Sequence, residues 1–160
     1  MAVNRGKDFE EELFKQLDMY ENISIIRLHD QTNGFKGSKN PCDFIMYSKP
    51  NMYALELKTT HADRLPFSNI TKYQWEQLTK LQSVKGVIAG IICWYVDRDT
   101  TLFIPISILN ELKQSGEKSI SYKACMDIFE VLPIYGKKRR VFFDYDWTKF
   151  INQARIIYGS

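Results

Sequence analysis

The chain has 160 residues, 44% hydrophobic and 26% charged, with a net charge of +3, a composition ordinary for one globular domain that buries about 70% of its unfolded surface and needs no disulfide. Its longest apolar run, residues 87–96, is far too short to span a bilayer, and the opening MAVNR has no apolar signal core. Cys42, Cys93 and Cys125 are single and widely spaced, without the CxxC or HxxxH pairing that zinc prefers, so they read as buried small hydrophobes in a soluble protein of the reducing cytoplasm.

Residues 8–20 return Phe9, Leu13, Phe14, Leu17 and Tyr20 to one face, which predicts a helix. At about 100° per residue the same arc takes in Glu10 and leaves Glu11 and Glu12 outside, so of the three consecutive glutamates Glu10 is the one expected to point inward. A strand over 23–28 follows, then a polar loop over 29–40 that carries Lys36 and Lys39. Residues 43–47 and 52–59 read as two strands joined by a turn at 48–51, which makes a hairpin. A loop containing Arg64 runs to Asn69. The spacing predicts a helix over 71–84, with Lys72 in its first turn, and then the apolar run 87–96 suits a central strand. Residues 97–100 turn it into a strand over 101–104, which Pro105 ends as an edge position permits. Residues 106–114 read as a short helix stopped by Gly116, and a final helix runs from 146 to about 156. Between them Lys137-Lys138-Arg139-Arg140 is the only dense basic run, either a solvated turn or a phosphate contact. The order of elements implies an α/β fold, a mixed central sheet flanked by helices.

The chemistry concentrates at YALELKTTH, residues 53–61. Residues two apart in a strand share a face, so Glu56 and Lys58 project together while Leu55 and Leu57 enter the core on the other side. The hairpin brings Asp43 to the neighbouring strand, and Glu10 can approach from the first helix. Carboxylates crowded in this way repel one another unless a cation lies between them, and all-oxygen ligation suits Mg²⁺ or Mn²⁺. A lysine beside such a metal can hold a water and offset charge on a phosphate, which is the chemistry of phosphodiester hydrolysis. Glu-x-Lys by itself is a weak signal, since a chain of this length carries one by chance about every second time. A cross-strand ion pair is the competing reading of the same residues. Gln74 lies on the apolar arc of its helix, either near a phosphate or water or, because Thr71-x-x-Gln74 is a capping box, bound to the helix start.

In order along the chain, NRGKDFEEEL, PCDFIMY, ALELKTT, FSNITKYQ and GVIAGIICWY resemble the RecU family of Holliday-junction resolvases, within the PD-(D/E)xK nuclease superfamily, and the likeness extends through GEKSI. The resemblance implies a restriction-endonuclease-like core forming a single nuclease domain over 1–160. It also implies a homodimeric, Mg²⁺-dependent enzyme, with Mn²⁺ as a substitute, that resolves four-way DNA junctions by paired phosphodiester hydrolysis. By position it implies that Asp43 and Glu56 are metal ligands, Glu10 an auxiliary carboxylate at the metal, Lys58 the catalytic lysine and Gln74 a polar helix residue near the site. Contacts to branched DNA are expected from Lys36, Lys39, Arg64, Lys72, Lys137, Lys138, Arg139 and Arg140. The chain departs from the family in three places. Only residues 29–40 stand where a long stalk is inserted in RecU proteins, Tyr73-Gln74 replaces an Asp-Gln or His-Gln type of pair, and Pro41 precedes Asp43 by two positions rather than one. The compact size resembles a bacteriophage or mobile-element version. Two further readings share the motifs: a restriction- or repair-type nuclease acting on other DNA structures, and a DNA-binding module of the same fold that has lost catalysis. The intact set Asp43, Glu56 and Lys58 argues against the last.

Overall fold

A computed structural model describes residues 5–29 and 39–159, so Lys36 lies outside the described residues. The apolar stripe of the first helix, α1 (Arg5–Leu17), buries Phe9, Leu13 and Leu17. Strands β1 (Ser24–Arg27), β2 (Phe44–Ser48), β3 (Asn51–Thr60), β5 (Val87–Tyr95), β6 (Thr100–Pro105) and β8 (Leu132–Pro133) pair in the order β1-β2-β3-β5-β6-β8. Among the described residues only the β3–β5 pairing is parallel. It is connected through α2 (Lys72–Gln82), as a parallel pair requires a crossover of this kind. Two small ribbons lie outside the sheet, β4 (Arg64–Pro66) with β7 (Ser119–Ser121) and β9 (Gly136–Lys138) with β10 (Phe143–Tyr145). The remaining helices are α3 (Ile106–Gln114), α4 (Tyr122–Asp127) and α5 (Trp147–Tyr158).

Strand parity divides the interior into two layers. Phe44, Met46, Tyr53, Leu55, Ile92, Trp94 and Phe103 pack under α1 and α5 against Phe9, Leu13, Trp147 and Phe150. The alternate residues Ala54, Ala89, Ile91, Cys93, Tyr95 and Ile104 pack under α2 and α3 against Trp75, Leu78, Ile106 and Leu109. This double burial is the physical reason that β5 is apolar on both faces. It also places Glu56 on the α2/α3 side, since Ala54 and Glu56 share a parity opposite to Leu55 and Leu57. No described helix is long and apolar enough to cross a membrane.

Four local expectations change. The helix over 8–20 starts earlier and ends at Leu17. The loop before Asn69 contains β4, and the basic run at 137–140 enters the β9–β10 ribbon instead of a turn alone. The strand before Pro105 is not an edge, because β8 pairs with its Leu102 and Phe103, and Pro105 lies two residues past that contact. The cysteines are unbridged and buried, as expected of small hydrophobes.

Gly90 lies in β5 opposite Pro105 of β6, where there is no room for a side chain. A Cβ at this position would stand 2.3 Å from the Ile104 carbonyl oxygen and 2.9 Å from the Phe103 ring, and neither neighbour is the free end of a flexible chain. Gly90→Ala is expected to cost about 3 kcal/mol and to lower the melting temperature by roughly 10 °C. An unchanged thermal melt would contradict the Gly90–Pro105 register.

Candidate active site

The site is built at the start of β2 and the second half of β3. The register Phe44↔Leu55 sets Asp43 beside Glu56. Asp43 is the last backbone link of the ladder: its N–H donates to the Leu55 carbonyl at 3.1 Å and its carbonyl accepts the Leu28 N–H at 2.8 Å. Its carboxylate then takes the place of a further strand residue, with Oδ2 accepting the Leu57 N–H at 2.8 Å. The side chain is therefore fixed by the same bond that satisfies the β3 backbone.

Glu56 is 3% exposed. Lys58, two residues on and on the same face, meets Glu56 Oε2 with its Nζ at 3.1 Å. The other carboxylate oxygen, Oε1, is buried without a hydrogen-bond partner. An unpaired buried carboxylate oxygen is costly. Burial raises the Glu56 carboxyl well above the ordinary range and the Asp43 charge raises it further, with Lys58 opposing both. Asp43 is also raised, chiefly by burial and in part by Glu10, against the lowering effect of the Leu57 N–H and Lys58. The adjacent Cys42 thiol is pushed up to about 12 by burial and by the same two carboxylates, which makes it unreactive.

Glu10 reaches this end of the sheet from the opposite layer. Arg27, Phe44 and Leu55 are cross-strand partners and face α1, and Arg27 Nε donates to Glu10 Oε1 at 2.8 Å. Glu10 is thus near enough to act on Asp43, yet its carboxylate is held by an arginine. Among the described residues no three His, Cys, Asp or Glu side chains form a group able to hold a metal ion. The expectation that Glu10 alone of the three glutamates points inward is corrected: the Glu12 side chain is 17% exposed, against 21% for Glu10, because Arg139 covers it. Arg27 was missed by sequence reasoning. Its signal was strand parity, since Ile23, Ile25 and Arg27 form the covered side of β1 between exposed Ser24 and Ile26.

Gln74 closes the capping box. Thr71 Oγ1 accepts the Gln74 N–H and Gln74 Oε1 accepts the Thr71 N–H, each at 3.1 Å. Among the described residues no hydrogen bond links it to Asp43, Glu56 or Lys58. Of the expected DNA contacts, Lys39 stands 5.8 Å above the Tyr73 ring, Arg64 donates to Ser119 Oγ at 2.9 Å, and Lys72 forms an exposed pair with Glu76 at 3.8 Å.

A family model described as RecU, Recombination protein U, matches residues 19–144. That span contains Asp43, Glu56, Lys58 and Gln74 and leaves out Glu10. Among solved structures, the chain is similar to the 1.6 Å resolution structure of Archaeoglobus fulgidus Hjc, a Holliday junction resolvase from an archaeal hyperthermophile. The two are 21% identical, with 74% of this chain and 86% of that chain covered and a TM-score of 0.49. No curated protein matches the chain.

The raised carboxyls give a stability test that needs no catalysis. The folded protein holds protons that the unfolded chain releases from about pH 4 upward, so stability falls as pH rises through the raised values. In chelator at pH 8, Glu56→Gln is expected to stabilise by about 1–2 kcal/mol, a few degrees in melting temperature. The gain should vanish near pH 4, where the native carboxyl is itself protonated. A divalent cation should raise the melting temperature of the native protein more than that of Glu56→Gln. A variant less stable than the native protein at pH 8 would assign Glu56 to a structural ion pair.

Proposed function

The chain belongs to the RecU family of Holliday-junction resolvases, which are nucleases, and from this membership we propose that Asp43, Glu56 and Lys58 form the centre with which it hydrolyses four-way DNA. The family is typically metal-dependent and its substrate is branched DNA. The observation that carries the assignment to these residues is the buried, unpartnered Oε1 of Glu56 beside a second desolvated carboxylate. That donor set fits a hard divalent cation such as Mg²⁺, or Mn²⁺ in its place. Asp43 and Glu56 would hold the ion. Glu10, clamped by Arg27, is the auxiliary carboxylate acting from the other layer.

When bound, the cation offsets the two carboxylates and polarises the scissile phosphate. The protein's own groups supply position. The Leu57 N–H keeps Asp43 from rotating away, and Lys58 orients Glu56 through Oε2 so that Oε1 remains available. The Lys58 ammonium is half-buried, where it can hold a water against the phosphorus and offset charge on the phosphate oxygens. The water oxygen bonds to phosphorus and gives up one proton to solvent, the bond from phosphorus to one ester oxygen breaks, and that departing oxygen takes up a proton from solvent. Gln74, with its carbonyl committed to the cap, has only its amide nitrogen to offer a phosphate. One such centre stands among the described residues of each chain, and a symmetric junction presents two strands for cutting. Two copies related by a two-fold axis meet that requirement.

Asp43→Asn and Glu56→Ala are expected to lower nicking of a labelled four-way junction at least 100-fold, an order of magnitude set by loss of metal ligation, with junction binding retained. Lys58→Ala should lose cleavage as well, and Lys58→Arg should fail to restore it fully, since a planar guanidinium does not replace a compact ammonium. Mn²⁺ should support nicking, and Ca²⁺ should support binding without turnover. Robust cleavage in excess chelator would eliminate the metal-dependent reading, and equal cutting of a linear duplex would remove junction selectivity.

A further inference from the structure

Half of the densest basic run in the sequence is ion-paired in the folded chain. Lys138 Nζ sits 3.0 and 2.9 Å from the two carboxylate oxygens of Asp99. Arg139 is shared between two acids, with Nε 2.7 Å from Asp144 Oδ1 and Nη2 on Glu12 of α1. Two of the four cations thus meet three carboxylates, and those carboxylates belong to three different elements: α1, the turn between β5 and β6, and β10. Lys137 and Arg140 differ from their neighbours. Both are exposed, and neither side chain forms a hydrogen bond or ion pair with another described residue.

The same contacts fix where the hairpin stands. The Arg139 N–H donates to the Phe142 carbonyl at 2.7 Å, so residues 140 and 141 form its tip. Phe142 packs on Trp94 at 5.7 Å between ring centroids, and Trp94 is the cross-strand partner of Thr59, the residue after Lys58. Trp94 is also lined by Phe9 of α1 at 5.3 Å. The tip is therefore held at the end of the sheet that carries Lys58, by an aromatic contact beneath it and ion pairs on two sides.

We propose that the run divides by role: Lys138 and Arg139 anchor the hairpin, and the exposed side chains of Lys137, on the strand opposite Asp144, and Arg140, at the tip, are the contacts to DNA phosphate. The proposal rests on the reading of this chain as a nuclease for branched DNA. Its physical basis is counterion release. A cation that must abandon a carboxylate to reach a phosphate exchanges one ion pair for another and adds little net charge to the complex. An unpaired surface cation adds a full phosphate contact.

The test measures binding of the intact protein to a four-way junction by fluorescence anisotropy across a salt series, in Ca²⁺ so that the DNA is not cut. Replacing Lys137 and Arg140 together by Gln is expected to flatten the log–log salt dependence by about 1.8, at about 0.9 per lost contact, and to leave the melting temperature unchanged. Replacing Lys138 and Arg139 together should flatten it by less than about 0.5 on the same scale and lower the melting temperature. Arg139→Lys, which keeps the charge and loses the two-acid fork, should lower melting with the slope intact. Equal flattening by both pairs, or a silent Lys137/Arg140 pair in a protein that binds the junction, overturns the division. Failure of the native protein to bind any junction would instead overturn the nuclease reading on which it rests.

Discussion

The hydrogen bond from the Leu57 N–H to Asp43 Oδ2 joins the requirements of the sheet to those of the site. At this end of β3 the partner strand stops offering backbone carbonyls, and a buried N–H left unsatisfied would weaken the ladder. A side-chain carboxylate supplies the missing acceptor. Because the bond is part of the sheet, the carboxylate inherits the rigidity of the sheet, and its position relative to Glu56 follows from strand register. Glu56 and Lys58 need no loop to bring them in, since both stand on the same strand at the period of the pleat. The three groups are held on or beside paired strands of the central sheet, and a site on rigid elements keeps its geometry better than one on loops.

That placement has an energetic consequence. Two carboxylates are desolvated next to one another with a single ammonium between them and water, and both are raised toward their neutral forms. A fold selected for stability alone would place an apolar residue at position 56, in a layer otherwise built from Ala54, Ala89 and Ile91. The acid is retained against its desolvation cost, and binding of a cation would remove that cost. Arg27 prevents a third uncompensated charge by holding Glu10 from the opposite layer.

Electrostatics at the surface follow a different logic. The polar groups at the C-terminal ends of β3 and β5 are mostly paired across elements: His61 hydrogen-bonded with Asp97 at 3.0 Å, and the ion pairs of Asp63 with Arg98 at 2.8 Å and of Asp99 with Lys138 at 2.9 Å. Three consecutive residues of one turn, Asp97 to Asp99, thereby reach the loop after β3 on one side and the β9–β10 ribbon on the other. Each exposed pair contributes little on its own, but together they set the position of the ribbon relative to the strand that carries Lys58. Net charge counted along the sequence says nothing of this, because it counts Lys138 and Asp99 as separate contributions.

Much of the fold was legible because its elements are long and periodic. The stripe of α1, the two-faced apolar run of β5, the limits of α3 and the start of α5 near Asp146 follow from side-chain spacing that any local window contains. The pairing of Asp43 with Glu56 and Lys58 was also legible, since a hairpin is a local structure and parity fixes which residues share its face. The β4–β7 and β9–β10 ribbons were not, because strands of three residues are too short to show a period. The capping box left two roles open for Gln74, and the structure fills its carbonyl with the helix start. The sequence by itself determined the layers, the parity of β3 and the chemical content of the site. Only the tertiary structure decided which acid each cation meets, as when Arg139 crosses 127 positions to Glu12. Burial and period are properties of neighbours along the chain, whereas an ion pair between distant elements exists only once packing has brought them together.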